Sequence, residues 1–212
     1  MAKLILVRHG ESEWNAKGLW TGLTDIGLSE KGKEEAREAA KSLKNIRIDL
    51  AYTSVLIRAN QTLEEIRKIV GLDNIIIVKD KALNEKDYGV FTGKNKWEVQ
   101  KEYGEEKFRQ IRRGWSYQIP NGESLKDVYN RTIPYYQKEI LPKLKEGKNV
   151  LIVAHGNSLR ALVKYLESIS DKDVENLELA TGEIYNYDLS SDGLILSKQK
   201  LTLGRTDDIT SI

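Results

Sequence analysis

The only two histidines of the chain, His9 and His155, occur in the same local pattern. Each follows an apolar run, 4–7 or 150–154, and each precedes a glycine. An imidazole has a pKa of about 6.5, so much of it is unprotonated near neutral pH and can attack phosphorus. A second imidazole could then stabilise charge on the transferred group. Two structural histidines at strand ends are the alternative, but the repeated pattern favours a catalytic pair.

Cationic side chains accompany this pair in the sequence, and they are Arg8, Arg58, Lys96, Arg112 and Arg113. Arginine matches phosphate oxygens with two parallel hydrogen bonds, and lysine adds a point charge. Phosphoryl transfer depends mainly on positioning and electrostatics, so a site this rich in cations needs no metal. The histidines also lack the spacing of a helical zinc motif, and we expect no metal site. A solvated basic face is the alternative for the last three cations.

A proton donor is needed for the leaving oxygen of such a transfer, and Glu85 is the candidate that we choose. Glu85 lies near the start of a region that contains several glycines and that we expect to form a lid. A carboxyl group beneath a lid can stay protonated at neutral pH. The alternative is a solvated loop glutamate.

The apolar runs before the histidines do not alternate with polar residues, which is typical of parallel strands covered on both faces. The histidines then lie at the carboxyl ends of strands, where ligands bind in open α/β sheets. Apolar periodicity and caps predict helices over 29–43, 55–70 (capped by Thr53-Ser54) and 124–145, the last with kinks at Pro134 and Pro142. Further strands are predicted over 49–52, 74–78, 149–154, 184–189 and 194–201, the last two forming a hairpin.

The predicted fold is therefore α/β: a mostly parallel central sheet flanked by helices on both faces, with a helical cap over the strand carboxyl ends. We expect a single domain over 1–212, with the cap inserted at about 83–122 and a mobile tail at about 204–212.

Composition excludes several classes of protein. The chain has 212 residues, no cysteine and a net charge of +2. Disulfides, thiol catalysis and cysteine-based metal sites are ruled out, and a nucleic-acid coat is disfavoured. No apolar run reaches the length of a membrane span, and no signal peptide is apparent. These features predict a cytoplasmic protein whose partners are small molecules, without nucleic acid or membrane.

Residues 8–12 (Arg-His-Gly-Glu-Ser), followed by Trp14-Asn15, resemble the signature of the histidine phosphatase superfamily. The likeness extends to the branch of phosphoglycerate mutases that depend on 2,3-bisphosphoglycerate. Segments that resemble this branch are Thr21-Gly22, Tyr52-Thr53-Ser54 with Arg58, Asn84-Glu85 with Tyr88-Gly89, Asn95-Lys96, Arg112-Arg113, and 154–161. The Arg-His-Gly element is shared with phosphatases, whereas the Asn-Lys and Arg-Arg pairs are specific to the resemblance with the mutase branch.

The resemblance implies that His9 carries the phosphoryl group and that Glu85 gives and takes the proton. The groups implied to surround the phosphoryl group are Arg8, Arg58 and His155. The residues implied to hold the remaining substrate are Ser12, Asn15, Thr21, Gly22, Tyr88, Lys96, Arg112, Arg113, Gly156 and Asn157. The implied reaction interconverts 2- and 3-phosphoglycerate with 2,3-bisphosphoglycerate as primer and no metal, in a monomer or homodimer. The alternative is a phosphohistidine-type phosphatase acting on small phosphoesters.

Overall fold

A seven-stranded sheet forms the centre of the protein in a computed structural model, which describes residues 1–202 and 205–206. Its strands are β1 (Ala2–Arg8), β2 (Leu50–Thr53), β3 (Ile76–Lys79), β4 (Val150–Ala154), β5 (Ile184–Leu189), β6 (Ile195–Thr202) and β7 (Arg205–Thr206). The strand order is β3-β2-β4-β1-β5-β6-β7. The first four strands in this order are parallel, and the predicted hairpin β5–β6 continues the sheet in antiparallel fashion.

Among the described residues, eight α-helices connect and cover the strands. They are α1 (Glu13–Ala16), α2 (Glu30–Leu43), α3 (Ile57–Val70), α4 (Lys96–Tyr103), α5 (Glu105–Arg113), α6 (Leu125–Tyr135), α7 (Leu141–Lys145) and α8 (Gly156–Leu166). Within the described ranges, no helix combines the length and the apolar character that crossing a membrane would need.

The central strand β1 is buried on both faces, as its unbroken apolar run predicts. Leu4 and Leu6 pack in one core with residues of α6 and α8. Ile5 and Val7 point to the opposite face and pack in a second core with residues of α2 and α3. Side chains alternate between the faces of a strand, so one segment anchors both helical layers. The α/β class, with helices on both faces of the sheet, is confirmed.

Residues 83–122 contain α4, α5 and a turn of 3-10 helix at Gly89–Phe91. This region has its own apolar core, in which Phe108 and Ile111 of α5 pack with Trp20 and Tyr88. We retain the interpretation of this region as a cap within a single domain as a proposal. The expected mobile tail lies mostly outside the described residues, although β7 pairs with β6.

Two predicted helices differ from the structure. The helix expected from residue 55 begins at Ile57, and its N-cap residue Leu56 makes no side-chain capping bond. Thr53 ends β2 and donates to the Val153 carbonyl, while Ser54 contacts His155 and accepts the N–H of Leu56, the residue before the helix. The helix expected over 124–145 is divided by a π-helical segment at Tyr136–Ile140.

Candidate active site

The two histidines lie side by side because their strands are neighbours. Arg8, at the end of β1, is paired in register with Ala154, at the end of β4. The backbone N–H of His9 continues this ladder and donates to the Ala154 carbonyl over 3.0 Å. The ring centroids of His9 and His155 are 4.8 Å apart, with planes inclined at 60°. The structure thus brings the two imidazoles together at one edge of the sheet.

His9 is held as a neutral imidazole whose Nε2 is free to attack. Its Nδ1 lies 2.6 Å from the Gly10 carbonyl. A carbonyl only accepts hydrogen bonds, so Nδ1 carries the proton and the lone pair remains on Nε2. Burial lowers the pKa of His9 well below 6.5, and the charges of Arg58 and Arg8 lower it further. The ring therefore carries a free lone pair at neutral pH, which is what a nucleophile requires.

Gly10 is required by close packing and not by an unusual backbone angle. A Cβ atom on Gly10 would lie 2.1 Å from the carbonyl oxygen of Gly32, in the first turn of α2. Neither Gly10 nor Gly156 has a positive φ. The glycine after His9 thus lets α2 pack directly against the loop that carries the histidine.

His155 is oriented by Ser54, which follows β2. Ser54 Oγ lies 2.7 Å from His155 Nε2 and accepts a hydrogen bond from the N–H of Leu56. The contact between the Ser54 hydroxyl and Nε2 therefore holds the ring in a set orientation. Burial and nearby Arg58 lower the pKa of His155 well below 6.5.

Arg8 and Arg58 place positive charge around the histidines. Arg58 is almost fully buried and donates to the carbonyls of Gly22 and Thr24 at 2.8 and 2.9 Å. Burial lowers its pKa to about 10, so the guanidinium stays charged at neutral pH. Arg8 donates through Nη1 to the Leu179 carbonyl, while its buried Nε has no partner among the described residues. Both groups can stabilise negative charge on a phosphoryl group at His9.

Glu85 is fixed by hydrogen bonds to one of its two carboxylate oxygens. Oε1 accepts from the backbone N–H of Lys86 at 2.7 Å, and from the N–H and Nδ2 of Asn157 at 3.1 and 2.9 Å. Asn157 Nδ2 also donates to the Tyr88 hydroxyl. Glu85 is only 9% exposed, and Oε2 accepts none of these bonds. The second oxygen is therefore available to exchange a proton with a ligand.

The cap contributes a second group of cations. Lys96, Arg112 and Arg113 line the same cavity as His9 and Glu85. Burial lowers the pKa of Lys96 to about 8, and Arg112 adds to the effect, so Lys96 is mostly charged at neutral pH. The arrangement offers one anion site at the histidines and a second, which we call the distal anion site, at these three cations.

Most of the predicted site residues line one cavity. Those that do are Arg8, His9, Asn15, Thr21, Gly22, Arg58, Glu85, Tyr88, Lys96, Arg112, Arg113, Gly156 and Asn157. Of the two others, His155 does not line the cavity, although its ring lies beside that of His9. Ser12 does not line the cavity itself, and its hydroxyl donates to Oδ1 of Asn15, which does, in the capping box of α1.

Ser54, Arg160 and Glu178 belong to the site but are not among its predicted residues. The sequence predicts Ser54 as a helix cap. Arg160 lies one turn after Asn157 on α8 and donates to its Oδ1 over 2.9 Å, a spacing that could have identified it. Glu178 belongs to no motif, and only the folded chain brings it to the cavity.

Three side chains of the site could in principle hold a metal ion. Ligand atoms of His9, Glu85 and His155 lie within 4.8 Å of one another. The charges of Arg8 and Arg58 beside them disfavour a divalent cation and favour an anion. That the reaction needs no metal remains a prediction.

Comparison with known proteins places the site in a family context. The histidine phosphatase superfamily (branch 1) matches residues 4–202. A 2,3-bisphosphoglycerate-dependent phosphoglycerate mutase of Chelativorans sp. (strain BNC1) is 47% identical over 200 residues, covering 93% of this chain and 97% of that protein. A protein of the same name from Cytophaga hutchinsonii is 48% identical over 191 residues, covering 90% and 89%.

Solved structures share the fold. YhfR of Bacillus stearothermophilus superposes with a TM-score of 0.80 at 27% identity, covering 92% of this chain and 94% of that one. Mycobacterial hydrolase 1 gives a TM-score of 0.81 over 98% of this chain and all of its own, but its 20% identity supports likeness of fold alone.

Proposed function

This chain belongs to the histidine phosphatase superfamily, and from that membership we propose that it is a 2,3-bisphosphoglycerate-dependent phosphoglycerate mutase. It interconverts 2- and 3-phosphoglycerate through a phosphohistidine, as a step of glycolysis and gluconeogenesis in the cytoplasm. The observation that carries the proposal is one cavity containing a neutral His9 next to His155 and a distal anion site on the cap.

His9 performs the covalent step. Its Nε2 lone pair forms a bond to phosphorus while the bond from phosphorus to the ester oxygen breaks. Arg8, Arg58 and His155 surround the phosphoryl group and stabilise the negative charge of its oxygens. Arg58 keeps its charge in this buried setting because its pKa, though lowered, is still about 10.

Glu85 moves the proton. Its Oε2 protonates the ester oxygen as the bond to phosphorus breaks, which leaves a carboxylate. The carboxylate then takes the proton from a substrate hydroxyl when that oxygen attacks the phosphoryl group on His9. Asn157 and the N–H of Lys86 fix Oε1, so the same carboxyl group can serve in both directions.

The distal anion site holds the end of the substrate that is not reacting. A mutase must retain a molecule with two anionic groups while either hydroxyl approaches His9, and Lys96, Arg112 and Arg113 provide the charge for this. The residues also fit 2,3-bisphosphoglycerate, since buried donors near His9 that have no partner in the described part of the chain, together with these cap cations, give two anion sites. This bisphosphate supplies the phosphoryl group that first loads His9.

Isomerisation of 3-phosphoglycerate by fully dephosphorylated enzyme tests the proposal. We expect activity only after 2,3-bisphosphoglycerate is added, and activity that is indifferent to the primer would reject it.

A substitution in the cap separates the mutase from a phosphatase of the same fold. Arg113→Ala should reduce isomerisation far more than hydrolysis of an aryl phosphate, which has no second anionic group. Arg109→Ala is the matched control, because Arg109 lies one turn earlier on α5, is 52% exposed and does not line the cavity. Equal losses in both reactions would favour the phosphatase.

A further inference from the structure

Glu178 is an exposed carboxylate on the wall of the cavity. Apart from Glu85, the other ionisable groups that we place in the anion sites are cations or a histidine. Its side chain is 57% exposed and has no part in the transfer derived above. A negative charge on the wall of an anion-binding cavity opposes the binding of anionic ligands, so its presence requires an explanation.

The backbone around Glu178 is fixed by two arginines of the site. The Leu177 carbonyl accepts from Arg160 Nε over 3.0 Å, and the Leu179 carbonyl accepts from Arg8 Nη1. The chain therefore passes the cavity at a set position, and the side chain of Glu178 is the part that can move.

The carboxylate of Glu178 is held by the distal anion site itself. Oε1 lies 2.6 Å from Nη2 of Arg113 and 3.6 Å from Nη2 of Arg112. The hydrogen bond from Arg113 lowers the pKa of Glu178, so the group is charged at neutral pH. Within the described residues it receives no backbone hydrogen bond, whereas Glu85 receives two from backbone N–H groups. Glu178 thus makes the ionic contacts of a ligand without the fixation of a buried structural carboxylate.

We propose that Glu178 is an internal competitor for the distal anion site, which the carboxylate or second phosphate of the substrate must displace from Arg112 and Arg113. This inference rests on the proposed function, because it assigns those arginines to the non-reacting end of the substrate. Glu178 then weakens the binding of ligands with two anionic groups and shortens their stay. Ligands with one phosphate, held at His9, do not meet this competition.

Glu178→Gln tests the inference, since it keeps the shape of the side chain and removes its charge. Glu175→Gln is the matched control: Glu175 lies three residues earlier, contacts Arg109 at 3.9 Å and does not line the cavity. Calorimetry gives the Kd of 3-phosphoglycerate for each protein, and steady-state assays give KM and kcat for isomerisation and for aryl phosphate hydrolysis.

We expect Glu178→Gln to lower the Kd and KM for 3-phosphoglycerate about fivefold, the size of a partly exposed ion pair. The KM for aryl phosphate should change no more than in Glu175→Gln, and kcat for isomerisation should not rise. An equal gain in affinity for 3-phosphoglycerate and for aryl phosphate would mean that Glu178 only lowers the positive potential of the whole cavity, and would overturn the inference. Unchanged or weaker binding of 3-phosphoglycerate would overturn it too, because Glu178 would then position Arg113 for the ligand.

The outcomes separate this inference from the proposed function. Tighter binding by Glu178→Gln in a protein that does not isomerise 3-phosphoglycerate would retain the competitor and reject the mutase. Isomerisation together with an unchanged Kd in Glu178→Gln would support the mutase and reject competition by Glu178. If neither protein bound 3-phosphoglycerate measurably, the competition would also be rejected.

Discussion

Ser54 Oγ lies 2.7 Å from Nε2 of His155, and the same oxygen accepts the N–H of Leu56. This contact fixes the orientation of the His155 ring beside His9. Ser54 follows β2, which is parallel to β4 with Thr53 opposite Val153. The register of the two strands therefore sets the hydrogen bond that orients the second histidine.

Removing this hydroxyl should slow catalysis without unfolding the protein. We expect Ser54→Ala to lower kcat about thirtyfold, corresponding to about 2 kcal/mol for a lost buried hydrogen bond, with little change in KM. Thr53→Val is the matched control, because it removes the neighbouring buried hydroxyl, which bonds the Val153 carbonyl. An equal loss of kcat in the two variants would show that Ser54 contributes only packing.

The rate of His9 phosphorylation should begin to fall only at a pH below that at which a free imidazole takes up its proton. Burial and the charges of Arg58 and Arg8 hold the pKa of His9 well below 6.5, so the nucleophile loses activity only as the pH falls through that lowered pKa. We expect the rate of His9 phosphorylation by an aryl phosphate, measured in single turnovers, to stay constant from neutral pH down to 6.5. A rate already halved at pH 6.5 would contradict the neutral state of the ring.

The change of the KM for 3-phosphoglycerate at alkaline pH should follow the loss of charge on Lys96. Its pKa is lowered to about 8 by burial and then by Arg112, so its charge is present below that pH and is lost above it. We expect the KM for 3-phosphoglycerate to rise as the pH increases beyond 8. Lys96→Arg stays charged there and should abolish the rise. The same alkaline rise in this variant would assign the change of KM to another group.

Lys86 should make stability depend on pH. It is fully buried, its Nζ donates to the Ile111 carbonyl in α5 over 2.9 Å, and burial lowers its pKa from 10.5 to about 7. Between these values the unfolded chain binds the proton that the folded chain releases, so the free energy of unfolding rises with pH. We expect the rise from pH 7 to pH 9, measured by urea denaturation, to be smaller by about 2 kcal/mol in Lys86→Met than in the unchanged protein. Equal slopes in both proteins would contradict this.

The pair of histidines could be predicted from the sequence because a local pattern determines where each lies. An apolar run before His9 and another before His155 give two buried strands, and parallel strands end at the same edge of a sheet. The helices of both layers could be predicted for a similar reason, since their apolar stripes lie within one segment.

The remaining parts of the site depend on contacts between distant segments. Ser54 and Leu56 look like the start of a helix, because a serine that caps and a serine that bonds a histidine have the same local sequence. Glu178 lies in a stretch without regular structure, held by Arg160 and Arg8, and nothing in its neighbours along the chain indicates a cavity. The roles of such residues can be recognised only in the folded structure, where the strands and the cap lie next to each other.

The most direct test of the central claim is the intact mass of the protein after incubation with 2,3-bisphosphoglycerate. We predict a gain equal to one phosphoryl group that is lost in acid, as expected of a phosphohistidine, and no gain in His9→Ala. Retention of the added mass in acid, or the same gain in His9→Ala, would contradict covalent transfer through His9.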